Sequence, residues 1–132
     1  NIIKKYNLSN NVEIYVNPSE GKVLELFSRA TIYLNPALEH FGINILEAMA
    51  AGLPVIVYKE GGQLDFVRHG INGFIAGDNA DEWVGYILQL LTDSKLYEKM
   101  AKATKETAIK FSWDRVAERF ERLIQYFVKG TL

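Results

Sequence analysis

The segment from Thr31 to Tyr58 alternates between a short apolar strand, a helix of small residues and a second apolar strand. The helical pattern INILEAMAAG ends at Gly52, a residue type that commonly stops helices, and Pro54 follows soon after. The stretches TIYLN and PVIVY lack clean polar alternation, which is typical of parallel strands buried on both faces. Strand–helix–strand order with short connections predicts right-handed units of a parallel α/β sheet.

Apolar and β-branched runs predict strands at Val12–Val16, Thr31–Asn35, Pro54–Tyr58 and Gly73–Ala76. Three amphipathic helix patterns follow the last strand, and Asn79, Ser94 and Ser112 stand where N-caps are expected. Asn79 with Glu82 also has the spacing of a capping box. We therefore expect a Rossmann-like parallel sheet of about four strands followed by a run of three helices, in a single domain over residues 1–132.

The last helix pattern carries a broad apolar stripe, formed by Trp113, Val116, Ala117, Phe120, Leu123, Ile124 and Phe127. Helices normally bury such a stripe against their own domain, and this is the packing that we expect. The alternative is that part of the stripe meets a missing neighbour or a second copy of the chain. That alternative arises because a small sheet offers limited surface to three consecutive amphipathic helices.

Composition excludes several classes of protein. The 132 residues are 48% hydrophobic and carry a net charge of −1, which gives no reason to expect nucleic acid or an anionic membrane as main partner. The absence of cysteine excludes disulfide scaffolds and thiolate metal sites. No apolar run approaches the ~20 residues of a membrane span.

Two glutamates, Glu39 and Glu47, bracket the start of the helix that follows the second predicted strand. Residues 36–42 form the loop at the carboxyl end of that strand, where open α/β sheets bind their ligands. Gly42 allows a ligand to approach the backbone closely. A helix N-terminus favours anions such as diphosphate, and the N–H groups available there are those of Gly42, Ile43 and Asn44.

An ionised carboxylate only accepts hydrogen bonds, so Glu39 and Glu47 both suit hydroxyl donors. A nucleotide-sugar, with hydroxyls on both sides of a diphosphate, matches two acceptors that flank an anion site. A structural role competes with this interpretation on spacing alone. Asn44 and Glu47 have the spacing of a capping box, and the helix dipole stabilises a glutamate in a first turn without any ligand.

The stretch EHFGINILEAMAAGLPVIV, followed by Gly61–Gly62 and by HGINGFIAG, closely resembles the GT-B glycosyltransferases that carry a Glu-x7-Glu motif. The ending KFSWDRVAERF also resembles the closing helix of that family. The resemblance covers essentially the whole chain, yet it corresponds to only part of the family's C-terminal, nucleotide-binding domain. It implies half of a GT-B architecture, with the N-terminal acceptor domain and the first strand and phosphate loop upstream of Asn1.

The resemblance also implies roles for individual residues. Glu39, the residue that it assigns to the catalytic centre, would accept hydrogen bonds from the donor sugar, and Glu47 would accept them from the ribose. The donor-binding set that it implies consists of Glu39, His40, Phe41, Gly42, Ile43, Asn44 and Glu47. The neighbours of His40 favour a donor-positioning role over that of a general base.

Two more loops are candidates for donor contacts. Asn17 and Pro18 stand where the family builds its nucleobase pocket, although the same residues also fit a helix-capping turn. Gly61 and Gly62 would line a donor loop, or they form a plain turn after a strand.

Family members of this type transfer a sugar with retention of configuration and without a bound metal, and no Asp-x-Asp motif occurs here. We therefore expect no cofactor and no metal, and a nucleotide-sugar donor that is GDP-mannose or a UDP-sugar. The motif EHFGI is reminiscent of mannosyltransferases that extend lipid-linked oligosaccharides. The acceptor, a sugar or lipid-linked glycan, would bind the N-terminal domain, in a cytoplasmic protein that can be peripheral at the membrane.

Departure of the diphosphate without a metal requires positive protein groups. In the family these are an arginine and a lysine that follow the domain's first strand, which here would precede Asn1. The isolated chain is therefore expected to be an inactive fragment of a retaining hexosyltransferase. The alternative is a non-catalytic nucleotide-sugar-sensing or protein-interaction module of the same fold. A dinucleotide-dependent dehydrogenase is disfavoured because no Gly-x-Gly-x-x-Gly follows a predicted strand.

Overall fold

The computed structural model describes residues 2–130, with side-chain environments for residues 2–128. Its elements, in chain order, are α1 Ile2–Lys5, α2 Glu20–Arg29, β1 Tyr33–Asn35, α3 Ile43–Ala50, β2 Val55–Tyr58, a 3₁₀ turn Gly62–Asp65, β3 Gly73–Ala76, α4 Ala80–Thr92, α5 Ser94–Lys110 and α6 Trp113–Gly130.

The three strands form a parallel sheet in the order β1-β2-β3. The register pairs Leu34 with Ile56 and Ile56 with Phe74. The central strand β2 is fully buried over Val55, Ile56 and Val57, as its continuous apolar sequence predicts for a strand covered on both faces. The predicted parallel α/β architecture is confirmed, and the last predicted strand coincides with β3.

The predicted strand Val12–Val16 is wrong, so the described sheet has three strands and not about four. These residues run as irregular chain, with Val16 81% exposed. Val12 donates its N–H to Leu8 O in a turn, and no described strand pairs with the segment. Strand-like side chains do not by themselves make a strand, because β propensity depends strongly on context.

The side chains of β2 alternate between two cores, one on each face of the sheet. The first core lies under α3 and consists of Ile45, Ala48, Met49, Leu53, Val55, Val57, Phe66 and Val67. The second lies under α4 and α5 and consists of Ile56, Phe74, Ala76, Leu90 and Met100. The carboxyl ends of the strands, where the candidate site was predicted, therefore project from a layer that is packed on both sides.

Helix caps agree with the sequence prediction only in part. Asn79 caps α4 by accepting the N–H of Asp81 at 2.9 Å. The Glu82 carboxylate accepts from Gly77 N at 2.7 Å, so it ties the end of β3 to α4 where a capping box would have folded back on the cap. Helix α5 is capped by Asp93, one residue before the predicted Ser94.

Helix α6 begins after Ser112, whose Oγ accepts from Arg115 N at 3.4 Å, as predicted. The expectation that its apolar stripe packs on the chain's own sheet is wrong: Val116 is half-buried, whereas Phe120 and Phe127 are 66% and 65% exposed. Helix α5 occupies the surface beside α3 and α4, and the start of α6, at Trp113 and Val116, borders a hollow beside α3. None of the described helices is long and apolar enough to cross a membrane.

Candidate functional site

The loop that follows β1 is organised by Asn35, a buried polar residue at the carboxyl end of that strand. Its Oδ1 accepts the N–H of Ala37 at 3.1 Å, and its Nδ2 donates to Glu39 Oε1 at 3.4 Å. Glu39 is half-buried, and among the described residues Asn35 is the only recorded hydrogen-bond donor to its carboxylate. The carboxylate therefore keeps lone pairs available for a ligand hydroxyl. Sequence reasoning missed Asn35, although a polar residue that ends a buried strand was a usable signal.

Gly61 and Gly62 lie directly against the backbone of the Glu39 loop. Gly62 N donates to Glu39 O at 2.7 Å, and Glu39 and Gly61 form an isolated parallel bridge. A Cβ added to Gly62 would stand 1.8 Å from His40 O, a distance at which two backbones could not coexist. The glycine pair is therefore a site of close contact between two loops, and more than a plain turn.

The N-terminus of α3 carries no side-chain cap. Gly42 occupies the N-cap position in the left-handed region at φ 89°, where glycine is favoured, and a Cβ there would meet Ile45 Cδ1 at 2.8 Å. Ile45 and Leu46 donate their N–H groups to Gly42 O. Within the described part of the chain, no acceptor is recorded for the N–H groups of Ile43 and Asn44. This arrangement suits an anion.

The capping box that spacing suggested for Asn44 and Glu47 does not form. Asn44 lies inside the helix, and its Nδ2 donates to the hydroxyl of Tyr33 at 2.9 Å. Glu47 is exposed, and its side chain has no hydrogen bond recorded to any described residue. The structural alternative based on this cap is therefore wrong, and the carboxylate of Glu47 is accessible.

Glu47 faces a groove of about 450 Å³ between α2 and α3, lined by Glu20, Val23, Leu24, Phe27, Ser28, Glu47, Ala50 and Ala51. Asn17 and Pro18 do not line this groove, although they precede α2 by only a few residues. Ser19 caps α2 by accepting Lys22 N at 3.3 Å, so the turn before the helix has the capping function that the sequence left open. Asn17 itself has a positive φ of 49°.

Tyr33 connects the two glutamates electrostatically. Burial is the main cause that raises the pKa of its hydroxyl, the hydrogen bond from Asn44 lowers that pKa, and the charges of Glu39 and Glu47 raise it further. Both carboxylates therefore lie within interaction range of one hydroxyl. Sequence reasoning treated Tyr33 only as a strand residue, because nothing local indicates that its ring reaches the first turn of α3.

Phe41 is partly exposed and packs edge-on against Phe66, with ring centroids 5.7 Å apart. It also lines a second hollow, of about 550 Å³, between α3 and the start of α6. His40 is exposed, and its backbone carbonyl lies against Gly62. Among the described residues there is no group of three or more His, Cys, Asp or Glu side chains placed to bind a metal ion.

A second polar cluster lies at the carboxyl ends of β2 and β3. The hydroxyl of Tyr58 donates to Asp78 Oδ1 at 2.8 Å, and Lys59 Nζ contacts Asp78 Oδ2 at 2.6 Å. Hydrogen bonds from Lys59 and then from Tyr58 lower the pKa of Asp78. These three groups are exposed or half-buried beside a shallow hollow of about 470 Å³, and sequence reasoning did not identify them.

The sequence matches a family of known proteins. The family model described as glycosyl transferases group 1 matches residues 1–107. A sucrose synthase from Melioribacter roseus is 33% identical over 138 aligned residues, covering 96% of this chain and 17% of the relative. A GDP-Man:Man(3)GlcNAc(2)-PP-Dol alpha-1,2-mannosyltransferase from Dictyostelium discoideum is 31% identical over 134 aligned residues, covering 100% of this chain and 26% of the relative.

Solved structures of glycosyltransferases have the same fold over most of this chain. The sucrose-phosphate synthase of Thermosynechococcus elongatus superposes with a TM-score of 0.85 at 24% identity, covering 98% of this chain and 33% of that one. The Anabaena protein HepE, in complex with UDP-glucose, superposes with a TM-score of 0.79 at 25% identity, covering 93% of this chain and 34% of that one. The chain thus spans about a third of these structures and less of the curated relatives. The chain belongs to the glycosyl transferases group 1 family and has part of the GT-B fold.

Proposed function

We propose that this chain binds the nucleotide-sugar donor of a retaining hexosyltransferase. The observation that carries the proposal is the uncapped N-terminus of α3, which lies between Glu39 and Glu47 with its first N–H groups unoccupied. An anion-binding helix terminus flanked by two hydroxyl acceptors is complementary to a sugar, a diphosphate and a ribose in sequence. A related structure that contains UDP-glucose supports this class of ligand.

In this proposal the diphosphate meets the backbone of Phe41, Gly42 and Ile43, with Asn44 adjacent. Glu39 accepts hydrogen bonds from the sugar, and Glu47 accepts them from the ribose. No metal takes part. The positive end of the α3 dipole offsets part of the diphosphate charge.

The donor is a hexose nucleotide, and mannose is the hexose that we propose first. The similarity to an alpha-1,2-mannosyltransferase and to an alpha-1,3/1,6-mannosyltransferase supports GDP-mannose. The similarity to HepE, whose structure contains UDP-glucose, supports UDP-glucose as the competing donor. Both nucleotide-sugars therefore belong in any binding test. With GDP-mannose as the donor, we propose that the whole protein is cytoplasmic and that its acceptor is a lipid-linked glycan.

A titration followed by NMR tests the donor site. Wild-type chain is titrated with GDP-mannose, GDP, UDP-glucose and UDP, and the same series is run on Glu47→Ala. Loss of a hydrogen bond between a charged group and a hydroxyl should weaken binding by about tenfold. Glu106→Ala, on the exposed surface of α5, is the matched control and should bind like wild type. Equal affinity of Glu47→Ala and wild type for all four compounds would contradict the proposal.

Turnover is a separate question. We propose that the 132-residue chain alone binds the donor without transferring the sugar. The chain spans about a third of the solved structures that it matches, and a metal-free transfer needs positive groups at the leaving diphosphate that the site proposed above does not include. Sugar transfer from GDP-mannose or UDP-glucose to an acceptor by this chain alone would show that the proposal is wrong.

One observation favours a second candidate, a non-catalytic module of the same fold. The apolar face of α6 is exposed, which is a common property of surfaces that bind another protein. A longer protein that contains this chain and the N-terminal acceptor domain distinguishes the two candidates. Donor-dependent sugar transfer by that protein supports the enzyme, whereas donor binding without transfer to any acceptor supports the module.

A further inference from the structure

Gln63 is a fully buried polar residue in the 3₁₀ turn that follows the glycine pair. Its Nε2 donates to Glu60 O at 2.5 Å and to Tyr58 O at 3.0 Å. Both donor hydrogens of the amide are thus used on the backbone of one loop, residues 58–62. Burying an amide is unfavourable unless its hydrogen bonds are made, so this side chain has a defined task in the fold.

The loop that Gln63 holds contains a backbone conformation that is unstable by itself. Gly61 has φ 116° and ψ −179°, a region that is essentially restricted to glycine and persists only when the surroundings determine it. A Cβ at Gly61 would stand 2.6 Å from Gln63 Oε1 and 2.5 Å from Glu39 O. The amide oxygen of Gln63 and the carbonyl oxygen of Glu39 are therefore both packed against the side of Gly61 where a side chain would project.

The same loop supports the Glu39 side of the donor site. Gly62 N donates to Glu39 O at 2.7 Å, and Gly62 lies against the carbonyl of His40. Glu47 stands on α3 and receives no contact from this loop among the described hydrogen bonds. We therefore expect a displacement of residues 58–62 to affect the position of Glu39 more than that of Glu47.

The Oε1 atom of Gln63 is buried and has no hydrogen-bond partner among the described residues. An unpaired buried acceptor is destabilising, so an apolar side chain of the same size at position 63 would avoid this cost. The presence of glutamine despite the unpaired Oε1 is explained if its two Nε2 hydrogen bonds are required to position the loop.

We infer that Gln63 is a positioning residue that sets the affinity of the site for the sugar portion of the donor by holding residues 58–62 against the Glu39 backbone. The inference rests on the proposed function, in which Glu39 contacts the sugar and Glu47 the ribose. It has a specific consequence. Loss of the Gln63 amide should weaken recognition of the hexose while recognition of the nucleoside diphosphate stays unchanged.

The test compares Gln63→Met with wild type. Methionine keeps the length of the side chain and removes the amide, and Gln89→Met on the exposed surface of α4 is the matched control. The affinity ratios of GDP-mannose to GDP and of UDP-glucose to UDP are measured by NMR titration. Gln63→Met should reduce the ratio for the bound donor by about five- to tenfold, the effect of losing buried hydrogen bonds, with the diphosphate Kd unchanged. Gln89→Met should leave the ratio unaltered.

The outcomes separate the inference from the proposed function. If wild type binds none of the four compounds, the proposed function is wrong. If wild type prefers the nucleotide-sugar and folded Gln63→Met keeps the same ratio, or loses affinity for diphosphate and nucleotide-sugar equally, the positioning role is wrong. A merely structural role for Gln63 would change the melting temperature without changing the ratio.

Gln63→Glu provides a second variant if Gln63→Met does not fold. Its protonated carboxyl retains one donor toward the loop carbonyls, whereas its ionised form places a negative charge beside them. Burial favours the protonated form. The affinity ratio, relative to wild type at the same pH, should be near normal at about pH 5 and reduced at about pH 8. A ratio equal to that of wild type at both pH values would overturn the inference.

Discussion

At the scale of single residues, the pKa of Tyr33 depends on the positions of Asn44, Glu39 and Glu47 in the candidate site. Its hydroxyl accepts a hydrogen bond from Asn44 and lies within range of Glu39 and Glu47. Burial first, and then the two carboxylates, raise the pKa of this hydroxyl. The folded state therefore favours the neutral phenol. This contribution to stability is complete below the ordinary tyrosine pKa of about 10 and is lost as the pH rises through the raised pKa.

Glu47→Gln should move the pKa of Tyr33 back toward its ordinary value, because it removes one of the charges that disfavour the phenolate. The measurement is a pH titration of the Tyr33 ring carbon by ¹³C NMR in wild type and variant. Glu106→Gln, on the exposed surface of α5 and not among the groups that shift the pKa of Tyr33, should leave the titration unchanged. An identical Tyr33 titration in Glu47→Gln and wild type would show that Glu47 does not face the hydroxyl.

At the scale of elements, Asn72 joins β3 to α5. The side chain is buried, accepts Arg68 N through Oδ1, and donates through Nδ2 to Phe66 O and Thr107 Oγ1, both at 2.9 Å. These bonds fix the turn that enters β3 and connect the amino end of that strand to α5. The sequence contains the segment HGINGFIAG, but no local pattern in it indicates the contact with a helix distant in the chain.

Asn72→Ala should lower the free energy of unfolding by about 2–3 kcal/mol, because it leaves buried backbone groups without partners. Urea denaturation followed by circular dichroism measures the change. Thr107→Val removes only one of the three contacts and should cost about 1 kcal/mol or less. Unfolding midpoints for Asn72→Ala that match wild type would show that α5 packs on the sheet without this anchor.

At the scale of the whole molecule, α6 contributes little to the described cores. Its apolar face is exposed, and neither core includes one of its residues. Of its described side chains, Val116 alone is half-buried. The apolar stripe of α6, which the sequence predicts to be buried within its own domain, is thus largely exposed.

A chain shortened to end at Ser112 should therefore keep its fold. We expect its amide NMR spectrum to retain the signals of the sheet and of α3 to α5, with a melting temperature within a few degrees of wild type, as for a change of about 1 kcal/mol. The shortened chain should also self-associate less at high concentration, because it lacks the exposed stripe. Collapse of the spectrum on truncation would mean that α6 is required for the core.

Local features of the sequence determined most of the fold. The apolar run of β2, the helix stop at Gly52 and the turn before Gly73 act over a few residues, so they were readable without tertiary information. The placement of Glu39 and Glu47 around the start of α3 followed from the same short-range rules. Backbone conformation and hydrophobic periodicity are properties of neighbouring residues, and this is why these elements lay where they were expected.

Contacts between segments distant in the chain were decided by the tertiary structure alone. Residues 12–16 have strand-like side chains but pair with no described strand, and α6 has an amphipathic face that stays largely exposed. The pairing of Gly62 with Glu39, and of Asn44 with Tyr33, depends on the register of the sheet and on which loops it brings together. The sequence by itself indicated which residues are candidates for the proposed donor site. Only the folded sheet decided which of them are held in place, because hydrogen bonds between loops require a geometry that no local pattern encodes.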